Sequence, residues 1–334
     1  MATKPTLPFA ILSNMTVLVT GGAGYIGSHV ARLLSERGDK VVIADDLSTG
    51  LPHRLKGHES VQLDLASHDA VEQLRAVIRS HKITSVIHLA ARKKVAESVE
   101  LPEWYYQQNV GGLANLLEAM KAEAVTRFVF SSSAATYGMP QVGQVDEEYN
   151  CQPINPYGET KLIGEWLSRA SAKSWGLRVV NLRYFNVAGA GWDDLADTAV
   201  ANLIPIAFAA IRSGQAPVVF GTDYDTADGT CVRDYVHVHD LADAHLAALD
   251  YLEKDKRKFD TFNVGTGKGS SVLEVLDEIR QVSGLGFELD LQPRRAGDPP
   301  ALAADVSRIK NELGWQAKQG LTEIVESAWN ATKG

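Results

Sequence analysis

A glycine-rich turn directly after a short apolar run is the feature that most constrains the fold of this chain. The run MTVLVT at 15–20 leads into Gly21, Gly24 and Gly27, and an amphipathic stretch follows to about Gly38. Glycines at this spacing allow a tight strand-to-helix turn, and the helix N-terminus offers N–H groups and a partial positive charge to a pyrophosphate. The turn predicts a dinucleotide-binding strand–turn–helix unit; the alternative is a tight turn that binds nothing.

Short runs rich in Val and Ile then alternate with longer amphipathic stretches. The apolar runs are KVVIAD, SVQLDL, SVIHLAA, RFVFSSS and LRVVNLRYFN. Because they are continuously apolar, they indicate parallel strands covered by helices on both faces. We therefore predict an α/β fold, a doubly wound parallel (Rossmann) sheet. The rhythm loosens after Gly189, which predicts a smaller, interleaved C-terminal α/β substrate domain.

The predicted domain bounds follow this change of rhythm. Residues 14–188 form the dinucleotide domain, a segment near 230–262 returns to it, and 189–334 form most of the substrate domain.

Composition excludes several classes of protein. The 33 Lys and Arg against 41 Asp and Glu give a net charge of -8, which argues against a broad nucleic-acid or anionic-membrane surface. Only Cys151 and Cys231 are present, so neither a disulfide framework nor a cysteine metal module is available. No apolar run approaches the roughly 20 residues that cross a bilayer, and residues 1–14 lack a signal-peptide pattern. We expect a cytoplasmic protein without nucleic-acid or membrane partners.

Asp45 bears on which dinucleotide is bound. It closes the second predicted strand at about the 20-residue distance from the glycines at which a carboxylate meets the ribose hydroxyls. A carboxylate there accepts hydrogen bonds from a ribose diol and repels a 2′-phosphate, so NAD is favoured over NADP. Asp46 beside it is either a loop residue or a second ribose ligand.

Tyr157 and Lys161 lie four residues apart at the start of a predicted helix, so they share one face. A phenol that acts as a base at neutral pH needs its pKa lowered by about 3, or roughly 4 kcal/mol. One cation about 4 Å away at an effective dielectric constant of about 20 supplies roughly that energy. Ser133 ends the predicted strand RFVFSSS at the sheet edge where such folds bind ligands. The three residues predict a catalytic set; the alternative is an exposed helical pair.

Two metal-like patterns are weak. His237 and His239 alternate on a strand, but no third ligand is evident. Asp223, Asp225 and Asp228 resemble a calcium loop, yet Ala227 and Asp234 stand where a carboxylate or amide and a Glu are required. We assign no metal.

These motifs together resemble the short-chain dehydrogenase/reductase superfamily and, within its extended branch, the UDP-glucose 4-epimerase family. The resemblance covers about residues 14–332 and is carried by VTGGAGYIGSH, ESVELPEWYYQQNVGG, FSSSAATYG, NPYGETK, LRYFNVAGA, DGTCVRDYVHVHDLADAH, FNVGTG and RRAGDPPA.

The resemblance implies three sets of site residues. Catalysis is assigned to Ser133, Tyr157 and Lys161. The NAD cofactor would contact Tyr157 and Lys161 of this set. Its other contacts would be Gly21, Gly24, Tyr25, Ile26, Gly27, Asp45, Asp46, Asp64, Leu65, Leu89, Ala90, Ala91, Lys93, Asn109, Ser131 and Tyr184. The UDP-hexose would contact Lys93, Ser133, Tyr157, Asn186, Asn202, Leu203, Val218, Phe220, Arg233, Arg295, Asp298 and Leu302.

Family membership further implies an isomerase and a homodimer, with helices around 102–122 and 157–172 packing against their mates. The implied reaction is reversible, NAD-dependent C4 epimerisation of UDP-galactose and UDP-glucose through a transient 4-keto sugar. Two arginines suit a diphosphate, since their forks match its oxygens. From the residues alone, surface ion pairs of Arg233 and Arg295 with Asp234 or Asp298 are the preferred interpretation, and only the resemblance assigns the two arginines to a diphosphate.

The chain departs from the family at two places. Ala91, Arg92, Lys93 and Lys94 stand where the family more often has Gly-Leu-Lys-Ala, which leaves open whether Lys93 or Lys94 has the expected role. Leu302 occupies a position where a large aromatic tends to exclude N-acetylated sugars and a small residue tends to admit them. Because leucine is intermediate, a UDP-N-acetylglucosamine or dual-specificity epimerase stays an alternative.

Two further alternatives are weaker. Related 4,6-dehydratases carry an Asp-Glu pair just after the serine or threonine, whereas here Ala134 and Ala135 follow Ser133. A non-catalytic NAD-sensing module would have no need of Ser133, Tyr157 and Lys161 together.

Overall fold

The computed structural model describes residues 15–254, 258–295 and 297–333. Residues 1–14, in which no signal-peptide pattern was found, lie outside the described residues. Along the chain the strands are β1 (Thr16–Thr20), β2 (Lys40–Asp45), β3 (Glu59–Gln62), β4 (Ser85–His88), β5 (Arg127–Ser133), β6 (Gln144–Val145), β7 (Arg178–Tyr184), β8 (Asn186–Ala188), β9 (Val218–Phe220), β10 (Val232–His237), β11 (Phe259–Val264), β12 (Gly269–Ser271), β13 (Asp290–Gln292) and β14 (Ala301–Ala304).

The helices alternate with these strands through the first half of the chain. They are α1 (Tyr25–Arg37), α2 (Ala70–His81), α3 (Val95–Glu100), α4 (Pro102–Tyr105), α5 (Gly112–Ala122), α6 (Pro156–Trp175), α7 (Leu203–Arg212), α8 (Val238–Lys254), α9 (Val272–Ser283), α10 (Ser307–Leu313) and α11 (Leu321–Ala331). A π-helical segment, Tyr106–Gly111, joins α4 to α5.

Seven parallel strands form the main sheet, in the order β11–β7–β5–β4–β1–β2–β3. The winding direction reverses between β1 and β4, so the carboxyl ends of these two strands flank the crevice in which open α/β sheets bind ligands. The predicted doubly wound parallel sheet is confirmed.

Alternation within β1 explains why helices cover both faces of this sheet. Val17 and Val19 belong to the core under α1 and α8, whereas Leu18 belongs to the opposite core under α2 and α5. All three side chains are fully buried. Burial of each contributes about 1.5–3 kcal/mol, which holds the strand rigid up to the turn that follows it.

A smaller sheet, β12–β10–β14–β6 with β8 paired to β10, and the pair β9–β13 lie beside the main sheet. Helices α7, α9 and α11 share a third core. The parts interleave: β6 comes from the first half of the chain, whereas β11 pairs with β7 and α8 packs on α1. Since β10 lies in the smaller sheet, the segment that returns to the main sheet runs from Val238 to Val264; the domain bounds themselves stay a prediction.

Among the described residues, no helix combines the length and the apolar character that a membrane span requires.

Candidate active site

The glycine turn between β1 and α1 is shaped by two close contacts. Gly21 has a φ of +74°, and a Cβ on it would lie 2.6 Å from the backbone nitrogen of Ala90. A Cβ on Gly27 would overlap the carbonyl oxygen of Gly21. Gly24 is the N-cap of α1, and no side chain of a described residue caps that helix. The backbone N–H groups of its first turn, at Tyr25, Ile26 and Gly27, therefore suit the pyrophosphate of a dinucleotide.

Tyr25 has a structural role beyond its backbone. Its phenol is buried and donates to the carbonyl of Gly189 at 2.6 Å, which ties the start of α1 to the segment that follows β8. Burial raises the pKa of Tyr25 well above its usual value. The side chain is thus neutral, and it does not oppose a nearby phosphate.

Asp45 is held at the carboxyl end of β2. Its two oxygens accept hydrogen bonds from the backbone N–H groups of Ala23, at 3.0 Å, and Leu47, at 2.9 Å. Burial raises the pKa of Asp45, and these hydrogen bonds counteract it. Each oxygen keeps a second lone pair, so the carboxylate still fits a ribose diol.

Asp46 is occupied differently. It accepts hydrogen bonds from the backbone and hydroxyl of Ser48 and forms an ion pair with Arg92 at 2.6 Å. Burial opposes ionisation, but these contacts lower the pKa of Asp46. The two adjacent aspartates therefore have different surroundings.

The other predicted cofactor residues line the same sheet edge. Asp64 and Leu65 follow β3; Asp64 accepts from the backbone of Ala66 at 2.9 Å, and the carbonyl of Leu65 accepts from Asn115 at 2.8 Å. Leu89, Ala90 and Ala91 follow β4, and the backbone there abuts Gly21. Lys93 is exposed, and it makes no hydrogen bond or ion pair to another described residue. Lys94 lies 4.0 Å from Glu97.

Strand pairing brings the predicted catalytic residues to one place. Ser131 and Ser133 end β5, Tyr184 ends β7, and Ser133 is in register with Tyr184. Tyr157 and Lys161 lie on α6, and the ammonium of Lys161 donates to the carbonyl of Ser131 at 2.8 Å. The same ammonium is 6.0 Å from the ring centre of Tyr157.

The spacing of Tyr157 and Lys161 predicts a lowered pKa for the phenol, and the structure gives the opposite shift. Burial raises the pKa of Tyr157, and the hydrogen bond with Ser133 only counteracts it. Burial also lowers the pKa of Lys161 to about 8. The ammonium points to Ser131, and the low dielectric of the site favours the neutral phenol.

The start of α6 is well determined by its sequence. Asn155 caps the helix by accepting from the backbone of Gly158 at 2.9 Å, and Pro156 occupies the first helical position, where its missing N–H costs nothing. Farther along, Glu165 forms a buried ion pair with Arg183 of β7 at 2.7 Å and accepts from Ser132 of β5. These contacts fix the helix that carries Tyr157 and Lys161 against the sheet.

Sequence reasoning missed two supporting side chains. His245 of α8 contacts the carbonyl of Leu241 through Nδ1 and the hydroxyl of Ser131 through Nε2, at 2.9 Å each. Burial lowers the pKa of His245 to about 4, so the ring is neutral, and Nδ1 carries the proton. Thr160 accepts from Asn109 at 3.0 Å. No local pattern identifies either residue, since both contacts join distant segments.

The two arginines of the predicted substrate site meet at one carboxylate. Arg295 donates to both oxygens of Asp298, at 2.9 and 3.1 Å, and Arg233 lies 3.4 Å from the same group. Arg233 is also held by the carbonyls of Val232 and Pro299 at 2.8 Å each. Both arginines thus form the ion pairs that the residues alone suggested, with Asp298 as the partner.

Asp234 has a different task. It is buried and accepts from the backbone of Thr266, Gly267 and Ala304, which joins the turn after β11 to β14.

The remaining predicted substrate residues surround the arginine pair to different degrees. Leu302 is in register with Arg233 and packs with Ala134, Tyr137 and Phe185. Phe220 lies under Arg295, with 5.7 Å between the guanidinium carbon and the ring centre. Asn186 starts β8, Asn202 and Leu203 start α7, and Val218 starts β9, all at the smaller part of the molecule.

The metal-like patterns have other partners. His237 contacts Ser327 at 2.9 Å and accepts from the backbone of His239. Asp223 pairs with Arg294 at 2.7 Å, and Asp228 accepts from Thr230. Over the described residues, no group of three or more His, Cys, Asp or Glu side chains is placed to hold a metal ion. Cys151 and Cys231 are both free thiols.

Comparison with known proteins gives matches along nearly the whole chain. Residues 17–265 match the family described as NAD dependent epimerase/dehydratase. A UDP-glucose 4-epimerase of Lactobacillus helveticus is 42% identical over 323 residues, which cover 94% of this chain and 96% of that protein.

Two solved structures are similar in three dimensions. The UDP-glucose-4-epimerase of Stenotrophomonas maltophila, with bound NAD and formylated UDP-arabinopyranose, has a TM-score of 0.91 and 38% identity, covering 96% of this chain and 98% of its own. The UDP-Glc/GlcNAc 4-epimerase of Campylobacter jejuni has a TM-score of 0.84 and 39% identity, covering 96% and 99%. This chain belongs to the NAD dependent epimerase/dehydratase family.

Proposed function

We propose that this chain is an isomerase that interconverts UDP-galactose and UDP-glucose by NAD-dependent epimerisation at C4. The observation that carries the proposal is the position of Ser133, Tyr157 and Lys161. They meet at the carboxyl end of β5, between an uncapped helix N-terminus beside Asp45 and a pair of arginines on the smaller part. A cofactor and a nucleotide diphosphate bound at these two places would face each other across the phenol.

The residues proposed to hold NAD share the carboxyl edge of the main sheet. The turn from Gly21 to Gly27 would hold the pyrophosphate, Asp45 the adenosine ribose, and Lys161 the nicotinamide ribose. Bound there, NAD would supply a reversible acceptor for the C4 hydrogen and its electron pair, so the sugar would pass through a transient 4-keto form. Lys161 suits a ribose diol because its ammonium donates to the carbonyl of Ser131, at 2.8 Å, and to no other acceptor among the described residues.

Tyr157 is proposed to take the proton of the 4-hydroxyl group and to return it. Burial raises the pKa of this phenol, so its action as a base requires positive charge nearby. A protonated Lys161 and a cationic nicotinamide both favour the phenolate. Ser133 would hydrogen-bond the reacting oxygen, because its hydroxyl already lies beside the phenol.

Arg233 and Arg295 are proposed to bind the diphosphate. Both now share the carboxylate of Asp298, so a diphosphate would compete with that carboxylate for the guanidinium groups. Arginine forks match phosphate oxygens as well as they match carboxylates, and the diphosphate carries more charge. This local pair is how a chain of net charge -8 would bind an anionic ligand.

An epimerase must let the keto sugar turn without releasing it. The proposal therefore places the anchor at the nucleotide, through the arginines and the segments that bear Asn186, Asn202, Leu203, Val218 and Phe220. Fewer contacts are proposed for the hexose, with Leu302 limiting the space beside it. Rotation about the diphosphate linkage then presents the opposite face of C4 to the same Tyr157.

The remaining parts of the proposal are a homodimer and a cytoplasmic location. Trp166 supports the homodimer, since 51% of this large apolar side chain is exposed on α6, within the predicted interface 157–172. The two free thiols, Cys151 and Cys231, support a reducing compartment.

The experiment is to incubate purified protein with UDP-galactose and, separately, with UDP-N-acetylgalactosamine, and to quantify both C4 epimers and extracted NAD. We expect UDP-glucose from the first substrate, with about one NAD per chain. Conversion of both sugars would extend the proposal to a dual-specificity epimerase. Bound NAD without either epimer would overturn the substrate assignment and favour another nucleotide sugar or an NAD-sensing role.

A further inference from the structure

Arg92 joins the two sides of the predicted cofactor groove. It follows β4, whereas Asp46 and Ser48 follow β2, and these two strands flank β1. Its guanidinium donates to Asp46 at 2.6 Å and to the hydroxyl of Ser48. The glycine turn after β1 lies between the two segments, so this contact spans the turn from one side to the other.

Both ends of this contact are firmly held. The guanidinium also donates to Gln108 at 3.0 Å and lies 4.9 Å from the ring centre of Trp104. The backbone N–H of Arg92 donates to Asn109 at 2.7 Å, and its carbonyl accepts from the same side chain at 3.0 Å. A side chain with this many partners is preorganised, since little rotamer freedom remains to be lost.

The glycine turn itself is enclosed on both sides. Ala90 lies against Gly21, and the backbone of Leu51 donates to the carbonyl of Ala23 at 3.0 Å. A pyrophosphate on α1 and a ribose on Asp45 would therefore lie in a groove whose two walls Arg92 connects.

The charges agree with this arrangement. Asp45 and Asp46 are adjacent carboxylates, and among the described residues Arg92 forms an ion pair with Asp46 and with no other carboxylate. One net negative charge is left beside the predicted ribose, which suits a diol and repels a 2′-phosphate. Arg92 thus neutralises the second aspartate without neutralising the first.

We propose that Arg92, bound to Asp46, is a positioning residue that closes the adenosine end of the cofactor groove and slows the release of bound NAD. This inference rests on the NAD binding proposed above. It assigns to Asp46 a role in cofactor retention through Arg92 rather than direct contact with the ribose.

The test measures the rate at which NAD leaves gel-filtered protein, by assaying NAD in filtrates over time. Arg92→Leu and Asp46→Asn should each speed release about tenfold, the worth of a typical hydrogen bond to a charged group. The double variant should release NAD no faster than either single variant, because both remove the same contact. Arg92→Lys should release NAD at a rate between those of wild type and Arg92→Leu, since an ammonium keeps the charge but cannot make the two-pronged contact of a guanidinium.

Arg79→Leu is the matched control, because it removes an arginine–glutamate contact, with Glu123, far from the groove. It should release NAD at the wild-type rate. Turnover of Arg92→Leu should fall at limiting NAD and recover as NAD is added, whereas a general distortion of the site would lower turnover at every NAD concentration. Raising the salt concentration should speed release from the wild type more than from Arg92→Leu.

Three outcomes would overturn the inference. Release from Arg92→Leu at the wild-type rate would show that the contact does not retain NAD, and fully additive effects would separate Arg92 from Asp46. Comparable binding of NADP, lost in Arg92→Leu, would make Arg92 a ligand of the 2′-phosphate instead. Wild-type protein that binds no NAD would overturn the proposed function together with this inference.

Discussion

At the scale of single residues, burial works against charge at the two side chains on which the proposed chemistry depends. Tyr157 and Lys161 are 9% and 3% exposed, and burial shifts both of their pKa values toward the neutral forms. Strongly shifted pKa values of this kind cluster at functional sites.

Lys161→Met should stabilise the ligand-free protein. The pKa of Lys161 falls from 10.5 to about 8 on folding, so the folded state disfavours the proton. The variant also loses the hydrogen bond to Ser131, which offsets part of this effect. We therefore expect its free energy of unfolding to exceed that of wild type by about 2 kcal/mol at pH 7. Between pH 8 and 10.5 the unfolded wild-type chain binds more protons than the folded one, so wild-type stability rises with pH in this range. The difference in stability between the variant and wild type should therefore shrink. Chemical denaturation at both ends of this range measures it; a gain that does not change with pH would contradict the shift.

Tyr157→Phe should lower the turnover of UDP-galactose by about 10²- to 10⁴-fold, the usual contribution of a general acid–base group. The ring and its packing remain, so the variant should keep its bound NAD. Turnover assays with NAD extraction check both results. Unchanged turnover would remove Tyr157 as the acid–base group.

Leu302→Tyr should favour the smaller sugar. Leu302 is in register with Arg233 and only 9% exposed, so a larger side chain must take up space beside the bound sugar. We expect the ratio of kcat/KM for UDP-galactose over UDP-N-acetylgalactosamine to rise about tenfold or more, the range of steric discrimination in such pockets. A ratio unchanged from wild type would place the hexose away from β14.

At the scale of elements, the site depends on how α6 is seated on the main sheet. Glu165 of α6 and Arg183 of β7 form an ion pair whose side chains are 4% and 8% exposed, and Ser132 donates to the same carboxylate. One polar network thus joins the helix that carries Tyr157 to the two strands that carry Ser133 and Tyr184.

Glu165→Leu should destabilise the fold by about 3–5 kcal/mol, because it leaves the buried guanidinium of Arg183 without a counter-charge. The double variant with Arg183→Met removes both charges and should recover part of that loss. Urea denaturation of the three proteins tests the pair. A double variant as unstable as the sum of the two single variants would show that the residues act separately.

At the scale of the whole molecule, the proposed homodimer would bury apolar side chains that are exposed in the single chain. Three large apolar side chains are each about half exposed or more: Val99 on α3, Leu101 at the N-cap of α4, and Trp166 on α6. Helices α3 and α4 both contact α6, and exposed large apolar side chains that lie close together commonly mark an interface.

Trp166→Glu should convert the protein from a dimer to a monomer. The charged side chain would be buried at the interface without a partner. Light scattering after size exclusion should give twice the chain mass of 36.2 kDa for wild type and that mass for the variant. A wild-type monomer would contradict the homodimer.

The sequence by itself determined those features whose physical causes are local. Continuous apolar runs predicted the parallel sheet, and the glycine spacing predicted the turn at Gly21, where a positive φ and the contact with Ala90 leave no room for a side chain. The order of motifs also identified the family, which the comparisons confirm.

Only the tertiary structure decided how distant segments complete the site. Spacing put Lys161 beside Tyr157, but the carbonyl of Ser131 draws the ammonium away, and burial reverses the expected shift in the pKa of the phenol. The bond between Arg92 and Asp46 and the contact of His245 with Ser131 join residues far apart in the chain. Hydrogen bonds and desolvation depend on which groups folding brings together, and no local pattern of residues records that.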